Sequence, residues 1–118
     1  MPQSDIQKLA QEVIAFRDAR DWKKFHNPKD AALSLTLEVA EVLEHFQWKN
    51  GAELKKYVKA HKNEIAEELI DVLYWILLMS HDLKIDIPKT FEKKMRKNEK
   101  RYPVAKVKGK HHKYTHYQ

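Results

Sequence analysis

The 118-residue sequence has no cysteine, two glycines and four prolines. Without cysteine, a disulfide framework and a zinc–thiolate site are excluded. Because glycine and proline interrupt regular elements, so few of them leave room for long helices. Apolar residues recur at helical spacing, and no segment gives a signal strong enough to favour a strand. We therefore predict a single all-α domain, small enough that association between copies would add stability.

Long apolar runs are also missing from the sequence. The longest run, at 69–79, is too short to span a bilayer and contains an acid, Asp71. The first residues, MPQSDIQKLAQEV, are polar and lack the apolar core of a signal peptide. We predict a soluble, cytoplasmic protein that has no membrane partner.

Helix-capping residues and apolar spacing predict four or five helices. Ser4 and Gln7 make a capping box for a first helix that ends near Arg20. Asn27 and Pro28 are suited to the N-cap and first position of a second helix. The second helix and those after it are expected at about 28–48, 52–60, 62–83 and 86–102.

Positive charge is concentrated at the C-terminal end of the chain. Residues 93–113 hold ten Lys/Arg and one acid, a net charge of +9, whereas the rest of the chain carries −3. We predict a single all-α domain at 1–103 and a basic C-terminal tail at 104–118. A basic segment suits a polyanionic substrate carried with metal ions, and it equally suits attraction to nucleic acid. Its default interpretation is a solvated face.

Two acidic motifs lie on the two longest predicted helices, Glu38-x-x-Glu41 and Glu68-x-x-Asp71. This spacing places both carboxylates of a motif on one helix face, one turn apart. Asp71 is the only charged residue of the apolar run 69–79, where an unpaired carboxylate would be costly or protonated. Replacing it with Asn is therefore expected to stabilise the metal-free protein. Four converging carboxylates would repel one another unless hard metal ions lay between them.

A helical wheel places each motif on a narrow stripe bordered by apolar residues. Antiparallel packing of the two helices would bring the stripes face to face. The stripes consist of Ser34, Glu38, Glu41 and His45, and of Glu64, Glu68, Asp71 and Trp75. The alternatives are ordinary: one Glu-x-x-Glu usually marks a solvated face, and a lone histidine is usually hydrogen-bonded or solvated. Trp22, Trp48 and Trp75 are by default core residues.

The donor types indicate which metal would bind. An all-carboxylate site favours Mg²⁺, with Mn²⁺ as a substitute, over zinc or copper. The competing di-iron site of helical bundles requires a Glu-x-x-His motif, and this sequence has none. The sequence therefore favours magnesium chemistry over iron–oxygen chemistry.

With these motifs the sequence resembles the MazG-like all-α nucleoside triphosphate pyrophosphohydrolases, and within them the dCTP-pyrophosphatase-like branch. The resemblance covers about residues 20–115. Beyond the acidic motifs, it rests on RDWKKFHNPKD, FQW, KMRKNEKRYPV and KYT.

The resemblance implies a four-helix-bundle-like fold, assembled as a dimer or tetramer with sites near subunit interfaces. It also implies Mg²⁺-dependent cleavage of a nucleoside triphosphate, to the monophosphate and pyrophosphate. The implied metal ligands and catalytic residues are Glu38, Glu41, Glu68 and Asp71. The implied substrate-binding residues are Trp22, Phe25, His26, Trp48, Trp75, Lys94, Asn98 and Tyr102. Trp75 stands where relatives carry Tyr, and an indole cannot accept a hydrogen bond.

Two functions follow as hypotheses. The first is a Mg²⁺-dependent pyrophosphohydrolase that acts on a (deoxy)nucleoside triphosphate, with a dNTP as the expected substrate, and cleanses the nucleotide pool. The alternative is a basic helical module that binds nucleic acid or a protein without catalysis. A nucleic-acid partner has less support, because such a module has no need for acids within apolar helix surfaces. The base, the sugar, the number of metal ions and the general base stay open.

Overall fold

The computed structural model describes residues 2–111 and Thr115. Within them the chain forms helices and turns and contains no strand, which confirms the all-α prediction. The helices are α1 (Asp5–Ala19), α2 (Pro28–Phe46), α3 (Gly51–Ala60), α4 (Lys62–Asp82), α5 (Ile87–Arg101) and α6 (Val104–Val107), with a 3₁₀ turn at Lys23–Phe25. Part of the predicted basic tail, at 112–114 and 116–118, lies outside the described residues.

Short polar side chains explain where the helices begin. Ser4 and Gln7 form the predicted capping box of α1: each side chain accepts a hydrogen bond from the backbone N–H of the other. Asn27 Oδ1 accepts from the backbone N–H of Asp30 at 2.8 Å, just before Pro28 opens α2. Asp86 caps α5 through the N–H of Lys89 in the same way. Both predicted N-caps are therefore confirmed.

The connection from α2 to α3 is tight. The helix α2 ends at Phe46, two residues before the predicted end, and Trp48 takes a left-handed conformation with φ of +70°. Gly51, at φ +56°, provides the second left-handed residue that this turn requires. Trp48 is 87% exposed in this single chain.

The helix α4 is the centre of the first compact unit, and it packs against α1, α2 and α3. Successive contacts between α2 and α4 run in opposite directions along the chain: Asp71 approaches Glu38, and Glu68 approaches His45. The two helices are therefore antiparallel, as the facing of the acidic stripes requires.

The polypeptide divides into two compact units. The first contains α1 to α4 and ends at Lys84, and the second begins at Ile85 and contains α5 and α6. Among the described residues, the apolar side chains fully enclosed within this single chain are Ala31, Leu77 and Leu78. In the same part of the chain, no helix combines the length and the apolar character needed to cross a membrane.

Candidate metal and nucleotide site

Three of the four carboxylates predicted from the motifs come together. One oxygen each of Glu38, Glu41 and Asp71 lies within 4.8 Å of the other two. The one-turn spacing on α2 and the antiparallel packing of α4 produce this cluster. Its donor set is chemically suited to a hard divalent cation, which prefers oxygen ligands and compensates their mutual repulsion.

Glu38 has the least favourable surroundings of the three. Its Oε2 is buried, and among the described residues it has no hydrogen-bond partner. Burial raises the pKa of the Glu38 carboxyl, and the neighbouring Glu41, by a shared hydrogen and by its charge, raises it further. The charges of Asp71 and Glu68 act in the same direction. A buried carboxylate oxygen without a partner, surrounded by like charge, fits a cation site.

The structure corrects one expectation about these acids. Asp71 is exposed in the described chain, although its sequence neighbours are apolar. The desolvated carboxylate is instead Glu38. The apolar neighbours of Asp71 point to other faces of α4, so apolar residues along the sequence do not enclose its side chain.

Glu68, the fourth predicted ligand, is turned towards a different partner. Its Oε2 is in close contact with Nε2 of His45, and Nδ1 of the same imidazole lies 2.7 Å from the hydroxyl of Tyr57. The imidazole is therefore hydrogen-bonded, which agrees with the default interpretation of a lone histidine. The charge of Glu68 nevertheless contributes to the raised pKa of Glu38.

A cavity of about 480 Å³ opens beside the carboxylates, within the size range of small-molecule sites. It is lined by Phe16, Trp22, Phe25, His26, Glu38, Asp71, Tyr74 and Trp75. One wall is thus acidic and the others are mainly aromatic. Such a cavity can hold an aromatic ring against its walls while an attached anion points towards a cation.

The aromatic walls are assembled by edge-to-face contacts. The rings of His26 and Trp75 are 5.2 Å apart with an interplanar angle of 72°, and Phe16 meets Tyr74 at 6.2 Å and 90°. Phe16 also meets Trp22 at 5.8 Å. These contacts fix the orientation of the walls before any ligand enters.

Four of the predicted substrate-binding residues line this cavity: Trp22, Phe25, His26 and Trp75. Phe16 and Tyr74 were not predicted, although both line it. Phe16 lies on α1, outside the motifs from which the site was predicted. The signal for Tyr74 was its position three residues after Asp71, which puts it on the same side of α4 as that acid.

The remaining predicted residues are placed elsewhere. Trp48 does not line the cavity and is almost fully exposed in this single chain. Lys94 and Asn98 lie one turn apart on α5, and Tyr102 follows as its C-terminal cap, all three in the second compact unit. Their predicted contacts with phosphate stay a prediction.

The family model described as MazG-like matches residues 33–116. The chain is similar to dCTP pyrophosphatase 1 from Rattus norvegicus, at 39% identity, and from Homo sapiens, at 34% identity. Each match includes 94% of this chain and 65% of the relative, so the chain spans about two thirds of the length of these curated relatives.

A solved structure shows the same fold. The crystal structure of a pyrophosphatase from Archaeoglobus fulgidus DSM 4304 superposes with a TM-score of 0.80 at 36% identity, over 87% of this chain and 96% of that one. The family match covers more than half of the chain and agrees with the helical architecture. The resemblance drawn from the sequence is thereby confirmed: this chain belongs to the MazG-like family.

Proposed function

We propose that the protein is a Mg²⁺-dependent nucleotide pyrophosphohydrolase, which cleaves a nucleoside triphosphate to the monophosphate and pyrophosphate. The observation that carries this proposal is the cluster of Glu38, Glu41 and Asp71 beside an aromatic cavity. A dNTP is the proposed substrate class, because the relatives at 34–39% identity are dCTP pyrophosphatases. The proposed role is removal of unwanted nucleotides from the pool.

In this proposal the clustered carboxylates and Glu68 hold the metal. Bound Mg²⁺ supplies charge neutralisation on the phosphates, a lowered water pKa and a stabilised leaving group. Oε2 of Glu38 is buried without a hydrogen-bond partner among the described residues, so it is available to a cation.

The aromatic walls would hold the base. Trp75 and His26 offer ring faces and edges for stacking, which gives affinity with little discrimination between bases. Discrimination requires hydrogen bonds to the base edge. Burial raises the pKa of the Tyr74 phenol, so it keeps its proton at neutral pH and can donate. Nδ1 of His26 is buried without a protein partner in the described structure, which makes it a second candidate for that contact.

The proposed phosphate contacts lie on α5 and at its C-terminal end. Lys94 and Asn98 are spaced to contact successive phosphates from one face of α5, with Tyr102 one turn further. Lysine balances triphosphate charge as a point donor.

The decisive experiment is a screen of the eight common NTPs and dNTPs with Mg²⁺, in which monophosphate and pyrophosphate are quantified. We expect turnover of at least one dNTP, and its loss in Glu38→Gln and in Asp71→Asn. Turnover of no nucleotide would refute the proposal, as would full activity in both variants. Salt-sensitive binding of DNA or RNA that survives EDTA and both substitutions would instead support the basic-module alternative.

We also propose that the protein associates with further copies of itself, as a dimer or tetramer. Large apolar side chains on the two longest helices are left exposed: Leu33, Leu37, Val39 and Leu43 on α2, and Leu69, Ile70 and Ile76 on α4. So much exposed apolar surface beside so few enclosed apolar residues is typical of a subunit interface. A second copy of the chain would bury it.

A further inference from the structure

The contact between His45 and Glu68 belongs to a longer chain of polar contacts. The His45 side chain is 13% exposed and that of Glu68 is 27% exposed, so both groups are largely shielded from solvent. Tyr57 of α3 closes the chain through its hydroxyl, 2.7 Å from Nδ1 of His45. Three elements, α2, α3 and α4, therefore meet at one imidazole.

Tyr57 is itself held in place. The ring of His61 stacks on it at 4.0 Å with an interplanar angle of 16°, and Nζ of Lys49 lies 4.1 Å from its ring centroid. These contacts fix the phenol against α4, so its hydroxyl is directed at a defined point.

The chemistry of the partners determines the proton positions on His45. A carboxylate only accepts hydrogen bonds, so Nε2 must carry the hydrogen that faces Glu68. In the neutral imidazole Nδ1 is then an acceptor, and the Tyr57 hydroxyl must donate to it. The donors thus run in one direction, from Tyr57 through His45 to Glu68. Only one oxygen of the Glu68 carboxylate is engaged in this arrangement.

A polar cavity of about 260 Å³ connects this chain to the carboxylate cluster. Its lining consists of Glu41, Glu44, His45, Tyr57 and Glu68. Glu41 belongs both to this lining and to the cluster with Glu38 and Asp71. Glu68 therefore faces the same space as one of the clustered carboxylates.

We propose that His45 is a positioning residue that holds Glu68 in the orientation in which its second oxygen is presented to a bound divalent cation. Tyr57 fixes the tautomer that this orientation requires. The inference rests on the proposed function, since it assumes that the carboxylates bind a metal. Hydrogen-bonded partners that orient a metal ligand typically contribute ten- to hundredfold to metal affinity.

The test is a titration with Mn²⁺ in the absence of nucleotide, in which EPR measures the bound and free metal. In His45→Leu, which keeps the size but removes the donor, we expect the Kd for Mn²⁺ to rise about ten- to hundredfold. In His45→Gln, whose amide can donate to Glu68, we expect a Kd near the wild-type value. Tyr57→Phe should raise the Kd about two- to tenfold, the effect of one lost hydrogen bond.

A second measurement reports on the chain of polar contacts from Tyr57 through His45 to Glu68. The ¹⁵N shifts of the His45 ring in the metal-free protein should show hydrogen on Nε2, and Tyr57→Phe should shift the tautomer population. His81→Leu is the matched control, because His81 also faces a carboxylate, that of Asp82, but lies outside the cavity. We expect its Kd for Mn²⁺ to be that of the wild type.

Several outcomes would overturn the inference. An unchanged Kd in His45→Leu would show that the imidazole does not act on the metal. A tighter Kd would show that it competes with the metal for Glu68. An equal loss in His45→Gln would show that donation is not its role. Glu38→Gln distinguishes failure of the positioning role from failure of the proposed function. If this variant binds Mn²⁺ normally, the carboxylate cluster is not the metal site and the proposed function fails. If it does not bind Mn²⁺, the metal site stands, and the result for His45→Leu tests the positioning role alone.

Discussion

Arg17 on α1 donates a hydrogen bond from Nη1 to Oδ2 of Asp82, at 2.7 Å. The two residues are 65 positions apart in sequence, and their hydrogen bond joins the ends of α1 and α4. The arginine side chain is fully buried, and its Nε also contacts the carboxylate of Asp18 at 3.2 Å. The carbonyl of Arg17 accepts from the backbone N–H of Trp22. This one residue thus connects the end of α4 to the loop that brings Trp22 into the aromatic cavity.

Removing Asp82 should destabilise the fold. In Asp82→Ala the buried guanidinium loses its strongest partner, and we expect the free energy of unfolding to fall by about 2–3 kcal/mol in urea denaturation. The control is Asp18→Ala, because the Asp18 side chain is 52% exposed. Its loss should cost less than about 1 kcal/mol. Equal effects of the two substitutions would contradict this account.

The same pair predicts acid sensitivity. Burial opposes ionisation of Asp82, but the hydrogen bonds and charges of Arg17 and His81 outweigh it and lower the pKa. Because the folded-state pKa is below the ordinary value of about 3.9, the pair stabilises the fold above that pH, and this stabilisation is lost as pH falls through the lowered pKa. Urea midpoints measured between pH 2 and 6 should therefore fall less steeply on acidification in Asp82→Asn than in the wild type.

Glu38→Gln should separate stability from activity. Because the pKa of Glu38 is raised, the folded metal-free protein is destabilised once the pH rises above the ordinary carboxyl value of about 4.3, and it stays so at neutral pH. An amide removes that charge, so we expect a higher melting temperature in EDTA at pH 7. Activity should nevertheless fall about 100-fold or more, since several kcal/mol of metal-supplied stabilisation is lost. A lower melting temperature of Glu38→Gln in EDTA would show that the Glu38 carboxylate does not destabilise the metal-free protein.

The aromatic wall should determine nucleotide affinity. Loss of stacking costs about 1–3 kcal/mol per base, so Trp75→Ala should raise KM about 5- to 140-fold with a smaller change in kcat. Trp75→Phe keeps a ring at the same place and should stay within a few-fold of the wild-type KM. A kcat effect without a KM effect in Trp75→Ala would argue against base stacking at this wall.

Association should depend on the exposed apolar face. Leu37 is 66% exposed on α2, and a glutamate there would place an uncompensated charge in an interface. We expect Leu37→Glu to lower the molar mass measured by light scattering at micromolar concentration. The control is Lys29→Gln, which changes the net charge by the same amount at an exposed polar position of the same helix. We expect it to leave the molar mass unchanged. A monomeric wild-type protein would contradict the proposed interface.

Local features of the chain were predictable from the sequence. Ser4, Asn27 and Asp86 start their helices through hydrogen bonds to residues three positions away, so capping chemistry alone locates them. The facing of Glu38 and Asp71 followed from one-turn spacing on two long helices.

The features that could not be predicted from the sequence depend on packing between distant segments. The orientation of Glu68 is set by His45, and that of His45 by Tyr57, which belongs to another helix. The burial of Glu38 and the exposure of Asp71 depend on which sides of α2 and α4 meet neighbours, and apolar neighbours along the chain do not report this. Helical periodicity identifies the residues that share one face of one helix, whereas a site is formed by residues from several helices.

The left-handed turn at Trp48 has a consequence for the stability of the single chain. A bulky residue at φ +70° costs backbone energy of order 1 kcal/mol, and an indole left 87% in solvent returns almost none of it to its own chain. A glycine at this position would make the isolated polypeptide more stable. The stability of the single chain therefore does not account for a tryptophan at this position.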